Sequence, residues 1–73
     1  MMKKRHVVLS TFSGEVFEDI VDKLEEMEGD IIEKRYDLLY HRYEIYVKLT
    51  FLESSKLRRF IKHRDVNILE VGS

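Results

Sequence analysis

The sequence predicts an α+β fold in which one four-stranded antiparallel sheet carries two helices on a single face. Two observations predict it. The apolar residues switch between a two-residue and a three-to-four-residue period, in the order strand, helix, strand, strand, helix, strand. The joints between these segments are tight, with no proline, linker or repeat in the 73 residues, so all six must share one core.

Each element has its own signal. His6 to Phe12 is rich in β-formers, with Val7 and Leu9 on one face and His6, Val8 and Ser10 on the other. Val16, Phe17, Ile20, Val21, Leu24 and Met27 then fall on one helical stripe. Ser13 is placed to cap that helix, and Phe12 to staple onto Phe17. Gly29 is placed to end it in the left-handed conformation. Ile31 to Tyr40 reads as a strand, in which Ile32, Tyr36, Leu38 and Tyr40 alternate and Lys34 interrupts their face, as an edge strand tolerates.

Tyr43 to Leu52 is the clearest strand, with Tyr43, Ile45, Val47, Leu49 and Phe51 alternating against Glu44, Tyr46, Lys48 and Thr50. The hairpin between these strands turns near His41 and Arg42, without Asn-Gly or Asp-Gly. A helix across Ile32, Tyr36, Leu39 and Tyr43 is the alternative, and the β-branched and aromatic content favours strands. Ser54 or Ser55 is expected to cap a second helix that buries Leu57, Phe60 and Ile61, and Val66 to Val71 forms a last strand. Two right-handed crossovers around a central hairpin give a ferredoxin-like βαββαβ sandwich with sheet order 4-1-3-2, a single domain over residues 1–73.

Composition narrows the function. A core of this size leaves only ~3–5 kcal/mol of net stability, and without cysteine no disulfide or thiolate zinc site can support it. Association is the remaining common support. The apolar run after Met1-Met2-Lys3-Lys4-Arg5 is only Val7-Val8-Leu9, too short for a signal core, and no apolar stretch could span a bilayer, so a cytoplasmic location with no membrane partner is expected. Abundant charge with no Gln and a single Asn also fits a heat-adapted source.

The charges are sorted by segment. From Glu15 to Asp30 every charged residue is acidic except Lys23; from Ser54 to Arg64 every charged residue is basic, namely Lys56, Arg58, Arg59, Lys62 and Arg64. Glu15–Asp19, Glu18–Asp22, Asp22–Glu26 and Arg58–Lys62 are like-charge neighbours at i,i+4, each unfavourable by a few tenths of a kcal/mol. A helix selected only for its own stability would alternate the signs. The candidate interaction surface is therefore Glu18, Asp22, Glu25 and Glu26 on the first helix, Arg58, Arg59 and Lys62 on the second, and Tyr46 on the open sheet face. That face, with His6, Val8, Ser10 and Thr50, reads as mixed rather than strongly polar.

Chemistry is not visible in the motifs. Ser10, Ser13, Ser54 and Ser55 read as strand or cap residues, without a glycine-rich elbow or an oriented base. Gly14, Gly29 and Gly72 spell no phosphate loop or dinucleotide fingerprint. His6, His41 and His63 lack metal-ligand spacing, and Glu25, Glu26, Glu28 and Asp30 read as a solvated helix end. No catalytic residue, metal or cofactor is expected. RNA-recognition motifs share this strand order, but Arg42 to Leu49 matches their octapeptide only at Arg42, Tyr46 and Val47, and the acidic helix beside the basic one disfavours a polyanion.

Phe12-Ser13-Gly14, at the end of the first strand, and Glu28-Gly29-Asp30-Ile31, at the start of the second, resemble two motifs of ACT domains, the small ligand-sensing modules of this topology. Asp30 stands where the family has asparagine. The resemblance implies a ligand site at Phe12, Ser13, Gly14, Gly29, Asp30 and Ile31, with a small molecule such as an amino acid held between copies. The expected function is a non-enzymatic regulatory or ligand-sensing module acting through homo-oligomerisation. A protein-interaction adaptor without a ligand is the first alternative. An RNA- or DNA-binding domain using the basic helix is the second.

Overall fold

The two strands with the cleanest alternation lie at the centre of the sheet. In the computed structural model, which describes residues 3–71, β1 (Arg5–Thr11) pairs antiparallel with β3 (Arg42–Leu49), Val7 opposite Val47 and Leu9 opposite Ile45. On one side of this pair β2 (Asp30–Asp37) joins β3, and on the other β4 (Asn67–Val71) joins β1. The sheet order is β2-β3-β1-β4, the order expected for a ferredoxin-like sandwich. Helices α1 (Gly14–Glu26) and α2 (Phe51–Ile61) cover one face. Val7, Leu9, Ile20, Leu24, Ile45, Val47, Leu49, Leu57 and Ile61 form the buried core between them.

Helix α1 begins as its sequence requires, with Ser13 Oγ accepting from the Val16 amide at 3.2 Å. Phe12, expected to staple the start, stays exposed, and Phe17 instead stacks on Tyr43 with ring centroids 4.9 Å apart. The end of α1 corrects the sequence reading by one residue. Glu28, not Gly29, is left-handed, at φ 58°. The Glu28 amide donates to the Glu25 carbonyl at 3.1 Å and the Gly29 amide to the Leu24 carbonyl at 2.8 Å, the two bonds of a Schellman cap. Gly29 serves close approach instead: a Cβ there would lie 3.2 Å from Leu49 Cδ2 and 3.3 Å from the Leu24 carbonyl oxygen.

Strand β2 is shorter than expected and ends at Asp37. Its register slips between Ile31, opposite Val47, and Glu33, opposite Tyr46. This bulge leaves Ile32 exposed and turns Lys34 and Tyr36 toward the helix side, opposite Ile45 and Tyr43. The hairpin loop is Leu38 to His41, earlier than expected. Asp37 Oδ1 accepts from the Leu39 and Tyr40 amides at 3.0 and 3.3 Å, and His41 takes a left-handed φ of 53°.

Helix α2 starts before Ser54 and Ser55. Its cap is Thr50, whose Oγ1 accepts from the Glu53 amide at 3.2 Å while Glu53 Oε1 accepts from the Thr50 amide at 2.8 Å. Strand β3 therefore stops at Leu49, and Thr50 is a buried cap residue rather than part of the open sheet face.

Candidate functional site

The six residues of the expected ligand site fall into two groups at opposite ends of α1. Phe12, Ser13 and Gly14 stand at its start, and Gly29, Asp30 and Ile31 just beyond its end. Thirteen helical residues separate them by about 20 Å. One copy of the chain thus cannot close both groups around one small molecule.

The first group is tied up by its own contacts. The Ser13 amide donates to Thr11 Oγ1 at 3.2 Å, and Thr11 Oγ1 donates to the Asp65 carbonyl at 2.8 Å. The Tyr43 hydroxyl fills the space beside Gly14, where a Cβ would meet it at 3.0 Å. Tyr43 lies between Phe17 and Tyr36, the latter 4.7 Å away by ring centroids, and Tyr36 Oη is 3.1 Å from His41 Nδ1. An aromatic row therefore runs from the start of α1 to the hairpin. In the second group Asp30 is exposed and Ile31 half-buried.

The helix residues expected to form an interaction surface face solvent. Glu18, Asp22, Glu25, Glu26, Arg58, Arg59 and Lys62 are all exposed. The seam between the helices is bridged by one ion pair among the described residues, Arg64 to Asp19 at 2.7 Å, with the Arg64 guanidinium 4.7 Å from the Phe60 ring centre. Lys23 pairs within α1 to Glu26 at 3.8 Å. Arg58 is held on the other flank of α2 by Glu70 of β4 at 3.2 Å. Ser54, buried, donates to the same carboxylate, and these two contacts hold the Glu70 carboxyl below the usual carboxylate range, Ser54 first.

Tyr46 is half-buried on the open face, its ring 5.5 Å from the Arg35 guanidinium carbon. Glu33 bonds Arg35 at 3.1 Å and raises its pKa further. The concavities among the described residues that border these surfaces are shallow. One lies between α1 and β2, lined by Phe17, Glu18, Val21, Asp22 and Lys34; one follows the helix seam; one crosses Arg35, Tyr36, Asp37 and Glu44. No cluster of three or more metal-ligating side chains occurs among the described residues, and no helix there is long and apolar enough to cross a membrane.

No protein-family model matches this chain, and no curated protein does. A solved structure does match: that of an uncharacterized protein, TM1266, from Thermotoga maritima. It is 15% identical, superposes with a TM-score of 0.61, and the match covers 96% of this chain and 98% of that one. The likeness is one of fold. A small α+β domain with this sheet and two helices recurs end to end in a sequence that shares little with this one, as expected when the core pattern carries the fold.

Two features escaped the sequence reading. Leu38, Leu39 and Tyr40 form an exposed apolar loop at the hairpin tip, with Leu38 and Leu39 each 78% exposed. Asp37 was the available signal, because an Asp ahead of the tip can accept from the amides two and three residues on. The second is the placement of Lys34 and Glu70 on opposite sheet edges, both on the helix side. It depends on the bulge and on the β4 register, which have no local signature.

Proposed function

We propose that this chain is a non-enzymatic regulatory module that acts through homo-oligomerisation. The observation that carries the reading is the unpaired charge on both helices. Of the α1 acids only Asp19 and Glu26 enter ion pairs among the described residues, and of Lys56, Arg58, Arg59 and Lys62 only Arg58 does. Side chains repelling their own neighbours at i,i+4 are relieved by an oppositely charged surface. The ACT-like resemblance extends this reading to ligand sensing, with a small molecule held between copies at one of the two groups, since a single copy cannot close both around it. Shallow concavities without a convergent set of polar groups favour association over chemistry.

The test is a thermal-shift screen with free amino acids and nucleotides, run beside a concentration series for the oligomer. Stabilisation by one amino acid, lost on dilution to monomer, supports sensing between copies. Oligomerisation with no stabilising ligand turns the reading to the adaptor without a small ligand. Retention of nonspecific RNA on a filter at low salt would favour the nucleic-acid alternative through Lys56, Arg59 and Lys62.

A further inference from the structure

We infer that copies of this chain join head to tail, the β2 edge of one continuing into the β4 edge of the next, and that the opposite charges of the helices select this pairing over a two-fold one. The inference rests on the association reading above and specifies its surfaces.

β2 and β4 are the two edges of the sheet, and each lies below one flank of one helix. Phe17, Glu18 and Val21 share a groove with Lys34 of β2, and Glu25, one turn beyond Val21, continues that flank. Arg58 reaches Glu70 of β4, and Lys62, one turn beyond Arg58, continues the other flank. The β2 edge is thus overhung by acids and the β4 edge by bases. Pairing β2 with β2 sets Glu18 and Glu25 against their own copies. Pairing β4 with β4 does the same to Arg58 and Lys62. Only β2 against β4 sets acid against base.

The strands agree with the helices. β2 and β4 run in opposite directions, because three antiparallel pairings separate them. A neighbour in the same orientation therefore offers β4 antiparallel to β2. On the helix side β2 carries Lys34 and Tyr36, and β4 carries Ile68 and Glu70, opposite Leu9 and Val7. The register that sets Lys34 opposite Glu70 of the second copy also sets Tyr36 opposite its Ile68, with both faces kept. A lysine pointing inward on an edge strand deters unselective pairing. Against another Lys34 it repels, and against Glu70 it finds its counter-charge. In the same register the exposed Leu38 and Leu39 come beside Val66 and Asp65 of the second copy. Such a contact is heterologous, so it closes into a ring or continues as a filament.

Size-exclusion chromatography with light scattering tests this on the full chain and two charge-reversed variants, Glu18→Lys/Glu25→Lys and Lys62→Glu. All three side chains are exposed and in no ion pair among the described residues. Each variant alone is expected to associate at least about tenfold more weakly than the natural chain, and an equimolar mixture to regain assembly, since each then offers the surface the other lacks. Circular dichroism checks that each folds, and Glu25→Lys or Lys62→Gln replaces a variant that does not. A mixture that stays monomeric, or variants that assemble alone as the natural chain does, overturns head-to-tail pairing while leaving association intact. A natural chain that is monomeric at every concentration overturns both.

Discussion

Adjacent substitutions at the end of α1 should move stability in opposite directions. Glu28 holds φ 58°, a conformation that costs an L-residue about 1–2 kcal/mol. It is also an acid at the helix C-terminus, unfavourable by roughly 0.3–1 kcal/mol. Glu28→Gly removes both penalties and loosens the unfolded chain by about 0.4–1 kcal/mol, for a net gain of about 1 kcal/mol. Gly29→Ala adds a Cβ 3.2 Å from the methyl of fully buried Leu49 and 3.3 Å from a backbone carbonyl. Neither neighbour can yield freely, so this overpacking should cost about 1–3 kcal/mol. Thermal unfolding followed by far-UV circular dichroism reads both, at about 4–8 °C per kcal/mol for a domain of this size. If Glu28→Gly lowers the midpoint, the Schellman assignment is wrong; if Gly29→Ala leaves it unchanged, the close approach of Gly29 to Leu49 is.

Three further outcomes follow from the contacts. Thr50→Ala should cost about 1–2 kcal/mol in urea unfolding because it breaks the capping box, whereas Ser55→Ala should stay within about 0.5 kcal/mol. Gly14→Ala should cost about 1 kcal/mol through its contact with the Tyr43 hydroxyl, and much less in a Tyr43→Phe background; equal costs in the two backgrounds would contradict that packing. Glu70→Gln should cost about 1 kcal/mol at neutral pH, when the carboxylate holds Ser54 and Arg58. Because the folded pKa of Glu70 lies below its unfolded value, this contribution is complete above the unfolded pKa and fades as pH falls through the folded one. The natural and Gln chains should therefore converge in stability in acid; a gap that widens there has the wrong sign.

Legibility followed how local each signal was. β1, α1 and the middle of β3 could be read because Val7, Leu9, Ile20, Leu24, Ile45 and Val47 repeat at the period of their element and all are buried. The start of α2 was hidden by competition between two local rules. Alternation runs from Tyr43 through Phe51, which masked Thr50-Phe51-Leu52-Glu53, a capping box plain in the sequence. The bulge at Ile32 could not be read, because it is set by how β2 meets β3 and not by any residue preference. The end of α1 misled for a different reason: a glycine one position past the left-handed residue looks like the cap, when its task is to make room for Leu49. The residues that resemble a ligand site were legible as motifs, yet their separation along α1 became visible only once the helix stood between them.

Light scattering of the natural chain at ~50 mM and ~500 mM salt tests most directly that charged helix faces drive self-association. A defined oligomer at low salt that dissociates toward monomer at high salt is expected. The same mass at both, whether oligomer or monomer, would contradict it.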